Sequence, residues 1–191
     1  LIFIFFHFIG QIPLSIYLIS QSDLIKGQMD QFELLSILPY NISLFLILLP
    51  FVATLPFVYL VVTRIHNQSF TSLINSRKKV DYGRIVFSFI LWGGISAVMV
   101  FTNYIMSPED YEWNFKPLPF LILFLISIVM IPIQTSVEEL IFRGYLMQGF
   151  GVLFKNRWSP LLFTSVIFGM LHLWNPEIDK LGIHLIWYYI G

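Results

Sequence analysis

Five stretches of the chain, approximately 1 to 20, 37 to 63, 85 to 105, 119 to 151 and 159 to 175, stay apolar over about the 20 residues that cross roughly 30 Å of hydrocarbon, and a sixth begins at 182. In lipid every backbone N–H and C=O must find its partner within the protein, so such runs fold as helices or as strands of a closed barrel. Runs this long without two-residue alternation are helices. The expected fold class is therefore all-α, a polytopic transmembrane helical bundle with about six spans in view and the last cut short at Gly191. The prolines inside the runs, Pro50, Pro56 and Pro132, predict kinks rather than breaks, because neighbouring helices can satisfy the carbonyls they release.

With 57% of the 191 residues hydrophobic and 12% charged, water is not the main solvent of this chain. Lys plus Arg, 11, balances Asp plus Glu, 11, so there is no basic surplus for nucleic acid and membrane lipid is the expected partner. The absence of cysteine excludes disulfides, a thiol nucleophile and thiolate metal sites, which leaves His and carboxylates as the donors for any metal. Residues 1 to 20 lack a basic leader and a small-residue cleavage pattern, so they read as a span and not as a signal peptide. Because it opens on Leu1 and closes inside an apolar run, the sequence reads as part of a longer protein.

The distribution of charge predicts orientation. The link from 64 to 84 carries Arg64, Arg77, Lys78, Lys79 and Arg84 against Asp81 alone, and the turn near 155 adds Lys155 and Arg157. Both should be cytoplasmic. The intervening links carry Asp23, Asp30 and Glu33, and then Glu109, Asp110 and Glu112, as strict alternation of the spans requires. Trp113, Trp158, Trp174 and Trp187, near expected span ends, suit an interfacial belt.

The fourth run contains residues that lipid should reject. Glu138, Glu139 and Arg143 interrupt it, and buried charges there cost several kcal/mol each, by the scale of about 2.5 to 3.5 for insertion at a helix centre. Four residues apart on a helix, Glu139 and Arg143 share a face and can pair, while Glu138 points about 100° away and lacks that partner. The following run holds His172, with Phe168 one turn earlier. If these two runs form a hairpin about residues 155 to 158, Glu139 and His172 each lie roughly 21 to 24 Å from the turn, at matched depth. A carboxylate facing an imidazole in a low-dielectric interior suits general-base activation of water, and equally two ligands of one metal ion. Gly144, Gly149, Gly151 and Gly169 would let the two helices approach closely.

The segments EELIFRG at 138 to 144 and FGMLH at 168 to 172 resemble the CPBP family of intramembrane proteases, named for CaaX proteases and bacteriocin processing, whose pattern is EExxxR followed by FxxxH. The resemblance covers residues 119 to 191, a protease core preceded by generic spans and links over 1 to 118. It implies an eight-helix-type membrane fold and hydrolysis of a peptide bond in a membrane-associated or prenylated peptide, or a role in bacteriocin processing or immunity, in a bacterial plasma membrane. Carried over by position, Glu138 is the water-activating glutamate, Glu139 and Arg143 its orienting pair, His172 the partner at the water or metal, and Phe168 a pocket residue. The family mechanism has been read both as a zinc metalloprotease and as metal-independent and glutamate-dependent. Two ligands do not complete a catalytic Zn²⁺ site, which takes three plus water, so under either scheme a further donor is expected beyond Gly191. The family's later His and the Asn or His one turn after it do not occur in this sequence.

Plainer readings stand beside these. Glu139 and Arg143 could form an ion pair that only holds the bundle together, and His172 could be an interfacial histidine near Trp174 and Asn175. His7, His66 and His184 read as structural or solvated. A noncatalytic immunity or scaffold protein, or a transporter component using the acids as a proton relay, is the rival function. A downstream HxxxN or HxxxH on another span would favour the enzyme.

Overall fold

The structure is a computed structural model that describes residues 2–21, 37–74, 80–173, 178 and 182–185. The described residues form helices and turns: α1 (Ile2–Ser20), α2 (Tyr40–Leu60), α3 (Phe70–Ile74), α4 (Tyr82–Met106), α5 (Pro117–Glu139), α6 (Met147–Phe154) and α7 (Trp158–Leu171). Short 3₁₀ turns cover Pro108–Asp110 and Ile183–Leu185. The fold is an all-α polytopic bundle, and four of its helical stretches are long and apolar enough to cross a membrane: Ile2–Ser20, Tyr40–Ile65, Tyr82–Met106 and Pro117–Phe154. Asp23, Asp30, Glu33, Arg77, Lys78, Lys79, Trp174, Asn175, Trp187 and the body of the expected sixth span lie outside the described residues.

Two lengths depart from the expectation. The continuous stretch Pro117–Phe154 has 38 residues, or about 57 Å of helix, nearly twice the hydrocarbon thickness. Its hairpin partner α7 has only 14 residues, about 21 Å, because the chain leaves the helix at His172. A long arm and a short arm that share one turn bring the far end of α7 back beside the middle of the long helix. The turn itself is built by Asn156, whose Oδ1 accepts from the backbone N–H groups of Trp158 and Ser159, and by Lys155 in the left-handed conformation at φ 53°.

α2 is the central helix. It packs on α1 on one side and on α5 on the other, and its buried residues include Leu46, Pro50, Thr54 and Val58. Gly10 is the contact point on α1: a Cβ built there would collide with the Cα of Pro50 and stand 3.2 Å from the Cβ of Ala53. Gly10→Leu is accordingly expected to force the two helices apart and destabilise the fold by about 2 kcal/mol or more, read as a lowered thermal midpoint of the detergent-purified protein. An unchanged midpoint would mean that this contact is looser than the geometry indicates.

α2 and α5 run parallel and in register. At one end Asn41 donates a hydrogen bond to the Pro119 carbonyl at 3.0 Å, an offset of 78 residues; at the other His66 Nε2 and the Tyr145 hydroxyl are hydrogen-bonded at 2.8 Å, an offset of 79. Parallel packing is what alternation demands of the second and fourth spans. Each helix also contains a π turn at the same level, Val61–Ile65 after α2 and Leu140–Leu146 after α5. The clustered core lies where these turns meet: Val58, Val62 and Leu73 are buried, with Phe3, Phe70, Leu140, Ile141 and Tyr145 packed around them. α4, by contrast, has no buried residue along its length.

Candidate active site

The motif residues sit where α5 passes into the π turn. Glu138 and Glu139 end α5, Arg143 lies inside the π turn, and His172 follows α7 as its C-terminal cap. The α6–α7 hairpin matches their depths through a ladder of rings, with Phe154 and Phe163 centroids 5.1 Å apart, Phe150 and Phe163 5.6 Å, and Phe142 and Phe168 5.2 Å. Phe168 continues the ladder to the His172 ring at 4.4 Å.

The two acids do face different ways. Arg143 Nε lies 3.5 Å from Glu139 Oε2, both side chains being about half exposed, whereas Glu138 Oε1 accepts a hydrogen bond from the Gln134 amide at 3.3 Å. Glu138 is part-buried and lies within electrostatic range of His172. The imidazole is held by its own helix: Nδ1–H donates to the Phe168 carbonyl at 2.8 Å. That bond selects the tautomer whose lone pair is on Nε2, the arrangement in which a histidine accepts from water or ligates a metal.

The residues grouped by sequence therefore fall on two adjoining faces. Glu139, Arg143 and Phe168, with Phe142, Thr164 and Ser165, line a cleft of about 20 Å³, room for one water. Glu138 and His172 lie beside it, and Phe168, touching Phe142 on one side and His172 on the other, joins the two. Sequence reasoning overlooked Gln134, one helical turn before Glu138, and Phe142, Thr164 and Ser165. Gln134 carried a signal, an amide four residues from an acid inside an apolar run; the cleft-facing hydroxyls became visible only through the hairpin. Thr164 is fully spoken for, its hydroxyl donating to the carbonyls of Pro160 and Leu161. Of the other histidines, His7 packs edge-on against Phe51 at 5.0 Å, and His66 is bonded to Tyr145.

Among the described residues no group of three or more His, Cys, Asp or Glu side chains could hold a metal ion. Glu138 and His172 would supply two donors of a zinc site, and the described residues do not complete it.

Four helical stretches long and apolar enough to cross a membrane, with Glu138, Glu139 and Arg143 carried on one of them and His172 at the end of the helix hairpinned to it, define the class: a multi-pass helical membrane protein. Residues 116–191 match the Rce1-like family, described as type II CAAX prenyl endopeptidase Rce1-like. The uncharacterized protein YyaK of Bacillus subtilis (strain 168) is 33% identical over 140 residues, covering 73% of this chain and 47% of that relative. The chain thus spans about half the length of the curated relative it matches. No solved structure matches it.

Proposed function

We propose that the chain is part of an intramembrane endopeptidase of the CaaX-protease and bacteriocin-processing type, which hydrolyses a peptide bond of a membrane-associated or prenylated peptide in a bacterial plasma membrane. What supports this reading is the local arrangement of the two motif groups: a part-buried Glu138 held by Gln134, and a His172 whose tautomer is set by the Phe168 carbonyl, on two helices joined by one turn and packed through Phe142 and Phe168.

In this mechanism Glu138 takes a proton from a water that also donates to His172 Nε2. The hydroxide oxygen bonds to the carbonyl carbon of the scissile peptide, and the carbonyl oxygen takes up the negative charge. As the C–N bond breaks, the protonated Glu138 returns its proton to the leaving nitrogen, so the products are a carboxylic acid and an amine, between which the acid's proton then moves to give carboxylate and ammonium, and the Glu138 carboxylate is regenerated. Glu139 and Arg143 line the adjoining cleft and add a modest tie within the turn, and Phe168 walls the water. Zn²⁺, bound by Glu138, His172 and a third donor outside the described residues, would polarise the same water and carbonyl.

This reading also carries a depth. Tyr145 stands level with His66, at the end of the second span, and Glu138 is seven residues before it, about 10 Å further in. With the basic link on the cytoplasmic side, the water is reached from that face and not from the centre of the bilayer.

The test uses the complete protein in liposomes with two peptide reporters of identical sequence, one farnesylated near its C-terminus and one unmodified. A single cut near the C-terminus of the lipidated peptide supports the reading; persistence of both intact peptides in every lipid composition, with folded protein present, sinks it.

A further inference from the structure

We propose that the segment from His66 to Ile74 is a strap that sets the angular phase of the motif helix, with His66 and Tyr145 as positioning residues for the reaction above, on which reading this inference rests. Three contacts tie the segment to the π turn and the residues after it. His66 is hydrogen-bonded to Tyr145 at 2.8 Å, the Gln148 amide donates to the Ser72 carbonyl at 3.0 Å, and Leu73 lies against Gly144 so closely that a Cβ on residue 144 would meet its Cγ at 2.9 Å and its carbonyl oxygen at 3.1 Å. Asn67 makes the reversal at positive φ, 52°, that turns the chain back onto the helix.

The need for such a strap follows from the π turn. It accommodates one residue more than an α-helical turn, is rare, and is kept only where surrounding contacts favour it over the α form. Because α6 is packed on α7, reverting to α geometry would rotate the α5 end by one residue, about 100°, relative to α7. Glu138 would then turn away from His172. The strap is thus coupled to the site through helical phase. Tyr145 further anchors it from the other side, its ring set edge-on to Phe3 at 5.1 Å within the core cluster.

The experiment uses the complete protein. Tyr145→Phe keeps the ring in the core and removes only the hydroxyl, so the fold survives. It is expected to lower kcat about tenfold with KM within about twofold, the size of one lost hydrogen bond expressed on a positioned group. His66→Gln, which retains a hydrogen-bonding group, is expected to lose less than His66→Phe. Docking is read separately: the sequence contains no cysteine, so a Ser72→Cys/Gln148→Cys pair treated with a short thiol cross-linker should link in high yield, and the yield should fall when Tyr145→Phe is added. An unaltered kcat in Tyr145→Phe overturns the positioning role, and no link in the otherwise unchanged protein overturns the strap itself. The link does not depend on turnover, so a protein that cleaves nothing but still links loses the proteolytic reading while retaining the strap.

Discussion

Glu138→Gln is expected to reduce reporter cleavage about 1,000-fold or more, since a positioned general base contributes on the order of 10² to 10⁴ in rate. The substitution is nearly isosteric, and the new side chain keeps an amide oxygen that can accept from Gln134, the bond that holds the glutamate at 3.3 Å. What is lost is the basic oxygen and the charge facing His172. Folding and membrane insertion should therefore be preserved, and the measurement is turnover per folded molecule, with the amount of folded protein taken from its elution as a single species in detergent. Glu139→Gln should behave differently. Its carboxylate faces Arg143 and the cleft, so its loss weakens a half-exposed ion pair of small worth and leaves the base in place. If Glu138→Gln turned over within about twofold of wild type, the acid would have no part in bond cleavage.

His172→Phe is expected to lower kcat about 100-fold or more, again on the scale of a positioned proton-handling group. Phenylalanine, somewhat larger, keeps an aromatic ring against Phe168, 4.4 Å away in the native protein, but removes both nitrogens. One of these is the Nδ1–H bonded to the Phe168 carbonyl; the other is Nε2, which takes the water in the mechanism. Since the residue caps α7 rather than filling the core, the thermal midpoint should shift by no more than a few degrees, consistent with loss of about one hydrogen bond. A large fall in midpoint with proportionate loss of activity would make His172 a structural cap; unchanged activity would remove it from the site.

Much of this site could be read from residue order. Three charges in an apolar run had to be paired or turned inward, and the four-residue spacing of Glu139 and Arg143 named the pair that forms, leaving Glu138 as the odd member. Counting residues to either side of the turn near 155 also anticipated the matched depth of the acids and His172, since helical rise is nearly constant and a hairpin doubles it back. Glu139 and Arg143 fall on a different face from Glu138, as the spacing required. They line a separate cleft with Thr164 and Ser165, because adjacent residues on a helix point about 100° apart.

Two features were not legible. No residue pattern marks a π turn, whose extra residue is retained through packing with other elements. The bond between His66 and Tyr145 joins residues 79 apart, and a histidine in a basic link gives no sign of it. The fifth apolar run read as a full span because hydropathy does not register where a helix ends, whereas the chain leaves α7 at His172.

The order of residues alone determined that this protein is a bundle of membrane helices, for lipid leaves long apolar runs no other way to satisfy their backbone, and it determined which ionisable groups demanded a reason to be there. The tertiary structure decided which way those groups face. Facing depends on helical phase, and here phase is set by two π turns packed side by side and by a strap folded over one of them, contacts between segments distant in the chain that local spacing does not encode.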